Sequence, residues 1–208
     1  MSFDGVSKEY SLGPVLTAVG SLKYSADSIV ASARNHLARW ASETQFTAFL
    51  AQWLPDRTIV ILDKVDSPLD IKMTVQIGQR FPWSAAALGK AFMAFMDESE
   101  RQEVLRINPL PSHTAKSISS QETWLAELDI VRERGWSSSQ GEYYSSTNSV
   151  VAPIFGPQGS VLAAVGSLAT TSDLKESDIG HYGLLMRTLA DDIEASIFPA
   201  GRTSGLVH

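Results

Sequence analysis

The sequence predicts an α+β domain in which a six-stranded antiparallel sheet is flanked by helices. Two pairs of strand-like segments predict hairpins, because turn-forming residues separate the members of each pair: Pro55-Asp56 in the first pair and 157–159 in the second. Amphipathic helical patterns lie before, between and after these segments. Strands joined by hairpins, rather than alternating one by one with helices, are typical of this fold class.

The first half of the chain contains two predicted helices and three predicted strands. The helices cover 12–22 and 28–42, and the strands cover 45–54, 58–64 and 71–77. Apolar residues recur at three- and four-residue spacing in both helices. In the third strand apolar and polar residues alternate strictly, as expected for a strand with one buried face, and Gly78 is expected to end it.

The stretch 78–96 combines a loop with a predicted helix whose first turn carries only small side chains. Pro82 restricts φ just before the helix, and Ser84 is the predicted N-cap. Because residues 85–87 are all alanine, the free backbone N–H groups of the first turn are open to a small anion or a carbonyl group. The alternative is that small residues here only allow two elements to pack closely.

The second half of the chain contains three predicted helices and three predicted strands. Helices are expected over 97–107, 120–134 and 172–197, and strands over 136–139, 148–155 and 161–168. Gly135 stands where a helix end requires a left-handed residue, and Pro153 indicates a sheet edge or a bulge. Ser172 or Asp173 is expected to cap the C-terminal helix.

Composition and charge narrow the class of protein. With 208 residues, 44% of them hydrophobic, the chain can bury a proper core as one domain. A net charge of −6 disfavours direct binding of nucleic acid by the chain as a whole. The absence of cysteine excludes disulfides, thiolate zinc sites and a cysteine nucleophile. With no apolar run of transmembrane length and no signal-peptide core, we expect a soluble, cytoplasmic protein without a membrane partner.

The sequence does not predict an enzyme. None of its four histidines lies at metal-ligand spacing from another histidine or a carboxylate. It contains no Gly-x-Ser-x-Gly motif and no phosphate-binding loop. The acidic run of Asp191, Asp192 and Glu194 is expected to be a solvated helix face. We therefore expect no catalytic residue, no metal and no cofactor.

Two segments, taken together, point to a protein family. In the first, a predicted strand is followed by Gly78, a basic residue, an apolar residue, Pro82, small residues and then Gly-Lys-Ala at 89–91. In the second, a helix ends in Arg-Gly-Trp at 134–136, Gly-Glu follows, and a strand reads Val-Ala-Pro-Ile. This pattern resembles IclR-type effector-binding domains, the ligand-sensing halves of a family of bacterial transcriptional regulators, over residues 10–197. The resemblance implies a GAF/PAS-like sheet, with which the predicted order of elements agrees.

The resemblance also divides the chain. Residues 1–24 are interpreted as an N-terminal tail and linker helix, 25–198 as the effector-binding domain and 199–208 as a C-terminal tail. In the family, Tyr-x-Leu-Gly closes the wing of a winged helix-turn-helix, and residues 10–13 match it, yet nothing upstream forms that DNA-binding domain. Either that domain has been removed or this is a natural effector domain without it, and the sequence leaves both open.

The resemblance places the effector between the sheet and the helix that follows Pro82. Carried over position by position, it implies these ligand-contacting residues: Met73, Phe81, Ala87, Leu88, Ser139, Ser149, Gly166 and Leu168. Trp83 and Tyr143 are added to this set as large aromatic residues nearby, and Trp136 and Tyr144 stand beside them. For these aromatic residues, plain core packing is the alternative.

Departures from the family pattern suggest the chemistry of the ligand. Family members that hold a small keto acid carry hydroxyl or acidic side chains at the positions of Ser139, Gly166 and Leu168. Gly166 is expected to open volume and Leu168 to make the wall apolar, which favours an aromatic or medium-sized carboxylate over glyoxylate. The N–H groups of residues 86–88 and the helix dipole are expected to meet its charge. Lys90 is interpreted as a solvated lysine or a packing stem.

The predicted function is therefore an effector-sensing domain of an IclR-type transcriptional regulator. Its expected partners are a small organic acid and further copies of itself, as a homodimer or tetramer, with DNA bound only through the N-terminal domain that is missing here. The alternative is a stand-alone GAF-like sensory or scaffold domain. A third possibility, a hydrolase or isomerase, would require two titratable catalytic side chains that face each other across the pocket.

Overall fold

The fold is described from a computed structural model, which covers residues 25–107 and 110–198 in full and the backbone of two short strands nearer the N-terminus. Those two strands, β1 (Ser2–Phe3) and β2 (Tyr10–Ser11), pair antiparallel with each other. The α-helices within residues 25–107 and 110–198 are α1 (Ala26–Thr44), α2 (Ala86–Met93), α3 (Glu98–Ile107), α4 (Gln121–Arg134) and α5 (Ile179–Ile197). The other strands are β3 (Thr47–Trp53), β4 (Thr58–Val65), β5 (Arg80–Pro82), β6 (Ser137–Gln140), β7 (Thr147–Phe155) and β8 (Val161–Thr170).

The main sheet has six strands in the order β5-β4-β3-β8-β7-β6, and every neighbouring pair is antiparallel. The hairpins β3–β4 and β7–β8 build most of it, and they meet where β3 pairs with β8. In this central pair Phe49 lies opposite Gly166, and Thr47 lies opposite Leu168. The predicted α+β class and the six-stranded antiparallel sheet are confirmed.

Helices α1 and α5 cover one face of the sheet. Leu37 of α1 and Met186 of α5 pack in one buried cluster with strand residues such as Leu50 and Val150. The predicted core role of Trp136 is also found here, because its indole belongs to this cluster. This layer forms a close-packed hydrophobic core that supports the sheet on the face covered by α1 and α5.

The opposite face of the sheet carries α2, with α3 and α4 packed against its far side. Side chains alternate along β3, so that Phe49 and Ala51 face α2 whereas Leu50 faces α1 and α5. Helix α2 is buried along its whole length, which explains why its sequence is almost entirely apolar or small. The start of this helix, the strand face below it and the segment after β4 enclose the candidate site.

The predicted strand at 71–77 is not formed, which corrects that assignment. The sixth strand is β5, which pairs with the first part of β4 and occupies that sheet edge. Residues 71–77 therefore have no strand to pair with there, and they belong to an irregular segment, residues 66–79, here called the strap. Val75 is buried, whereas Ile71 and Ile77 are 85% and 59% exposed, so only part of the predicted apolar face at 71–77 turns inwards.

Side chains, rather than a neighbouring strand, hold the strap in place. Thr47 Oγ1 donates to the Met73 carbonyl (2.6 Å) and accepts from the Ser67 N–H (3.1 Å). Lys64 Nζ donates to Thr74 Oγ1 (3.1 Å). The two bonds of Thr47 satisfy backbone groups that a strand would otherwise satisfy through its ladder. The strap is thus an anchored wall on the side of the sheet that faces α2.

Two predicted helix caps are wrong. The α2 helix begins at Ala86, and its cap residue is Ala85, which makes no side-chain bond; Ser84 only accepts the Ala86 N–H at its backbone carbonyl. The α5 helix begins at Ile179 after a short 3₁₀ turn, because residues 170–174 form a separate turn of their own. In the second case the polar residues that could cap a helix form a turn of their own, in which Thr170 Oγ1 accepts from the Asp173 N–H (3.2 Å).

Other local predictions are confirmed. Gly135 ends α4 with φ of +77°, and its N–H bonds to the Val131 carbonyl. Pro153 lies past the point where β6 stops pairing with β7, beside a register irregularity at Ile154. The predicted helix at 12–22 lies outside the described residues, and the proposed division of the chain at residues 24 and 198 stays a prediction. Across the described ranges, no helix combines the length and apolarity that crossing a membrane requires.

Candidate functional site

A cavity of about 320 Å³ lies between the sheet, the start of α2 and the strap. Its apolar wall combines aromatic and aliphatic side chains from the sheet and the strap: Phe49, Met73, Val75, Phe81, Val151 and Leu168. The volume is in the range of small-molecule sites, which are mostly apolar with a few placed polar groups. The cavity therefore has the size and lining expected of a site for a small organic molecule.

The first turn of α2 forms one end of the cavity. Ala86 has φ of +38°, and its N–H already donates to the Ser84 carbonyl (2.7 Å). This amide is therefore not open to a ligand, contrary to the expectation from the sequence. The N–H groups of Ala87 and Leu88, by contrast, have no acceptor within the described part of the chain. Because the positive end of the helix dipole adds to these two donors, this end of the cavity favours an anion or a carbonyl oxygen.

Packing against the sheet fixes the position of this helix start. Ser137 Oγ of β6 donates to the Ala87 carbonyl (2.7 Å) and so ties α2 to the edge strand. Gly89 allows the helix to approach the preceding turn, since a Cβ there would lie 2.0 Å from the Trp83 backbone oxygen. The alternative role of the small residues, close packing of two elements, therefore holds for Gly89.

Hydroxyl groups line the wall formed by β6 and β7. Ser139 and Ser149 lie opposite each other in the ladder, and Leu168 of β8 continues the row on the other side of Ser149. Thr147 Oγ1, also at the cavity, is buried and has no hydrogen-bond partner among the described residues. A buried hydroxyl without a partner costs free energy, which a ligand that bonds to it would recover.

An aromatic group closes the rim of the cavity. The ring of Tyr143 lies edge-on to Phe81 (5.9 Å between centroids) and to Tyr144 (4.7 Å), and 4.4 Å from the His113 ring. Burial, together with the neighbouring Tyr144 hydroxyl, raises the pKa of Tyr143. Its hydroxyl therefore stays protonated at neutral pH and can donate a hydrogen bond.

No charged side chain is among the described residues that line the cavity. A ligand carboxylate would have to be met by backbone N–H groups and hydroxyls, as in many anion sites that use no basic residue. The titratable side chains at the wall are the two tyrosines Tyr143 and Tyr144. Within residues 25–107 and 110–198, no group of three histidine or acidic residues has the arrangement of a metal site.

The structure brings most of the predicted site residues to this cavity. Eight of the ten line it: Met73, Phe81, Ala87, Leu88, Ser139, Tyr143, Ser149 and Leu168. Trp83 does not, because its indole packs edge-on against Trp124 (6.0 Å between centroids) in the cluster between α2, α3 and α4. Gly166 does not line it either. Whether the eight residues contact a ligand stays a prediction.

Gly166 does not open volume, which corrects the sequence-based interpretation. A Cβ at this position would lie 2.4 Å from Cζ of Phe49 and 2.9 Å from Cγ2 of Val151. The Phe49 ring thus occupies the space above the glycine, and it is this ring that lines the cavity. Gly166 acts indirectly, by allowing Phe49 to lie flat against the sheet.

Replacing Gly166 with alanine is expected to lower the free energy of unfolding by about 1–3 kcal/mol, because the new methyl group must push the Phe49 ring aside. Urea unfolding measures this change. Adding Phe49→Leu removes the end of the ring, so the double variant should lose less stability than the two single variants added together. Wild-type stability of Gly166→Ala would contradict the assigned contact.

Phe49, Thr147 and Lys90 were missed by sequence reasoning. Phe49 lies on a predicted strand and Thr147 directly before one, and alternation along a strand indicates two faces but not which face carries a cavity. Lys90 was interpreted as solvated or as a packing stem, yet it is 1% exposed and forms an ion pair with Glu142. A single basic residue inside an apolar helix is the only signal that the sequence carries for such a buried pair.

Comparisons with known proteins agree with this architecture. Residues 23–195 match the family model described as the bacterial transcriptional regulator IclR C-terminal domain. The chain is 28% identical over 190 residues to the HTH-type transcriptional regulator KdgR of Dickeya chrysanthemi, covering 91% of this chain and 62% of that protein. An IclR transcriptional regulator from Alicyclobacillus acidocaldarius has a crystal structure with a TM-score of 0.76, 31% identity, and coverage of 94% of this chain and 78% of that chain. The C-terminal domain of Escherichia coli KdgR gives a TM-score of 0.71, 27% identity, and coverage of 82% and 98%.

The family model and these relatives are those of bacterial transcriptional regulators. More narrowly, the chain belongs to the IclR family, and the matched region is the family's C-terminal domain. This confirms the resemblance drawn from the motifs around Pro82 and Pro153. The chain spans 62% of the length of the Dickeya chrysanthemi regulator. The activity of a whole regulator is therefore treated below as a proposal.

Proposed function

We propose that this domain binds a small organic acid, best an aromatic monocarboxylate, and thereby regulates DNA binding by the full-length protein. The observation that carries the proposal is one uncharged cavity with two free amides at one end and aromatic walls beyond them. The carboxylate would accept bonds from the N–H groups of Ala87 and Leu88. The ring would lie among Phe49, Phe81 and Leu168, where its apolar surface leaves water.

The same geometry disfavours the smallest acids. Glyoxylate or pyruvate would satisfy the amides but leave much of the apolar wall in contact with water, and would gain little from burial. A ring supplies the apolar area that the wall offers, and the edges and faces of Phe81 and Tyr143 favour aromatic contacts. The hydroxyls of Ser149 and Thr147 can bond a ring substituent.

Regulation follows if the ligand binds two arrangements of the assembled protein with different affinity. We propose that the domain acts as a homodimer or tetramer in the cytoplasm and that a separate N-terminal domain contacts DNA. The net charge of −6 supports the assignment of DNA binding to a separate domain, since an acidic chain repels the phosphate backbone of DNA. No catalytic step is part of the proposal.

A thermal-shift experiment on the 208-residue chain tests the ligand class. A ligand at a hundred times its Kd adds about 2.7 kcal/mol of stability, and each kcal/mol moves the Tm of a domain of this size by about 2–4 °C. Benzoate and phenylacetate are expected to raise the Tm by several degrees, and glyoxylate and pyruvate by less. Benzamide is the matched neutral control and should give little shift. An equal shift with benzamide would contradict recognition of charge, and no shift with any acid would favour a scaffold role.

A further inference from the structure

Lys90 is a buried cation two residues beyond Leu88, the last residue of α2 that lines the cavity. Its Nζ donates to the Ser138 carbonyl (3.0 Å) and to Oε1 of Glu142 (2.8 Å), and it lies 3.7 Å from Oε1 of Glu127. The Glu142 side chain is itself only 14% exposed. Removing one member of such a pair leaves a buried charge without a partner, so the pair holds α2 and the loop after β6 in one arrangement.

The two hydrogen-bond acceptors of Lys90 lie next to residues of the cavity wall. Ser138 directly precedes Ser139, and Glu142 directly precedes Tyr143. Lys90 itself does not line the cavity. It therefore acts on the wall only through the backbone and the carboxylate of the turn that carries these two residues.

The other side of this turn is held by a second set of bonds. Ser117 Oγ donates to the Glu142 carbonyl (2.7 Å), and Thr114 Oγ1 donates to the Gly141 carbonyl (2.7 Å). The carbonyl of Glu142 and its side chain are thus both fixed, from opposite directions. Lys90 fixes the Glu142 side chain and, through the Ser138 carbonyl, the backbone that leads into Ser139. The Glu142 N–H shares its peptide plane with the Gly141 carbonyl, so the bond from Thr114 helps to fix its direction.

That N–H donates to Oγ of Ser139 at 3.3 Å. A serine hydroxyl has one proton to donate and two lone pairs to accept with. Since the Glu142 amide uses one lone pair, and no acceptor for the hydroxyl proton lies within the described part of the chain, this proton remains available. Ser139 is buried at the cavity wall, so the available proton is a donor for whatever occupies the cavity.

We infer that Lys90 is a positioning residue for ligand recognition: by holding the Ser138 carbonyl and the Glu142 carboxylate on either side of Ser139, it keeps the Ser139 hydroxyl oriented as a hydrogen-bond donor to the ligand. The inference rests on the proposed function, in that the acceptor is an oxygen of the bound organic acid. Ser139 contacts the ligand, and Lys90 acts only through the turn.

The test measures benzoate affinity by calorimetry in four proteins: wild type, Lys90→Met, Ser139→Ala and the double variant. Methionine keeps the length of the buried stem and removes the charge. Each single change is expected to weaken binding about tenfold, which corresponds to about 1.4 kcal/mol, the size of one hydrogen bond to a charged group. The double variant should also lose only about tenfold, because both changes remove the same hydrogen bond.

Two results would overturn the inference. One is a loss of about a hundredfold in the double variant, which would mean that the two residues act independently. The other is a folded Lys90→Met protein that binds benzoate within about twofold of the wild type. Arg39→Met is the matched control, because Arg39 is also an ion-paired cation but lies on α1, paired with Asp192 on the other side of the sheet. It should leave the affinity unchanged.

A ligand-free measurement keeps the role of Lys90 separate from the proposed function. Hydrogen exchange of the Glu142 amide is expected to become about tenfold faster in Lys90→Met, because the turn loses its anchor and the bond to Ser139 opens more often. Glu142→Gln, which removes the charge and keeps the side-chain length, should act in the same direction and serves if Lys90→Met does not fold. Unchanged exchange would overturn the role of Lys90, whereas failure of the wild type to bind any acid would overturn the proposed function.

Discussion

Replacing Gly89 with alanine is expected to lower the free energy of unfolding by about 3 kcal/mol or more. The added Cβ would lie 2.0 Å from the backbone oxygen of Trp83 and 3.0 Å from its carbonyl carbon. Because the obstacle is backbone rather than the end of a flexible side chain, the methyl group fits only if α2 moves away from the turn before it. Urea unfolding with a tryptophan fluorescence readout measures the loss.

The same displacement would move Ala87 and Leu88 away from the cavity, so ligand binding should weaken together with stability. Gly180→Ala is the matched control: it makes the same change in α5, where nothing lies within 4 Å of the new Cβ. That variant is expected to keep wild-type stability or to gain up to about 1 kcal/mol from the better helix propensity of alanine. Equal stabilities of the two alanine variants would show that α2 does not depend on close approach at Gly89.

Ala87→Asp is expected to reduce the affinity for an aromatic carboxylate by more than about a hundredfold, or about 2.7 kcal/mol. The new carboxylate would stand at the first turn of α2, where it can accept from the free amides itself and repel a second anion. Since acidic residues in a first helical turn favour the helix, the variant has a reason to remain folded despite the buried charge. Calorimetric titration with benzoate measures the affinity.

Charge and volume are separated by Ala87→Asn, which fills the same space without a charge. It should weaken binding clearly less than Ala87→Asp does, and the neutral ligand benzamide should not distinguish the two variants. If aspartate and asparagine reduce benzoate affinity equally, the helix start is a steric wall and not the anion site. If neither reduces it, the acid binds elsewhere.

The predictions that hold depend on residues close together in the chain. The first hairpin was placed by Pro55-Asp56, and the end of α4 was placed by Gly135, because turn and cap preferences act over a few residues. The strand predicted at 71–77 failed although its alternation was strict. Whether an alternating segment becomes a strand depends on an open sheet edge, and β5 had taken that edge.

In the candidate site, too, local patterns predicted correctly and long-range contacts were missed. The small residues before Gly89 indicated open amides, and the structure leaves those of Ala87 and Leu88 without acceptors among the described residues. The sequence did not indicate that Phe49 would cover Gly166, or that Trp83 would pack against Trp124. Each of these contacts joins residues that are far apart in the chain, so no local pattern contains them.

By itself, the sequence determined the family, the antiparallel α+β sheet and the bare helix start at one end of the cavity. These features are carried by short motifs and by periodic patterns of apolar residues, which act locally. Only the tertiary structure decided that the strap closes the cavity, that Phe49 forms its wall, and that Lys90 is buried against Glu142. Whether a residue is buried or ion-paired depends on which distant segments of the chain pack against it. The free energy of that packing is set by the tertiary structure and not by the local sequence.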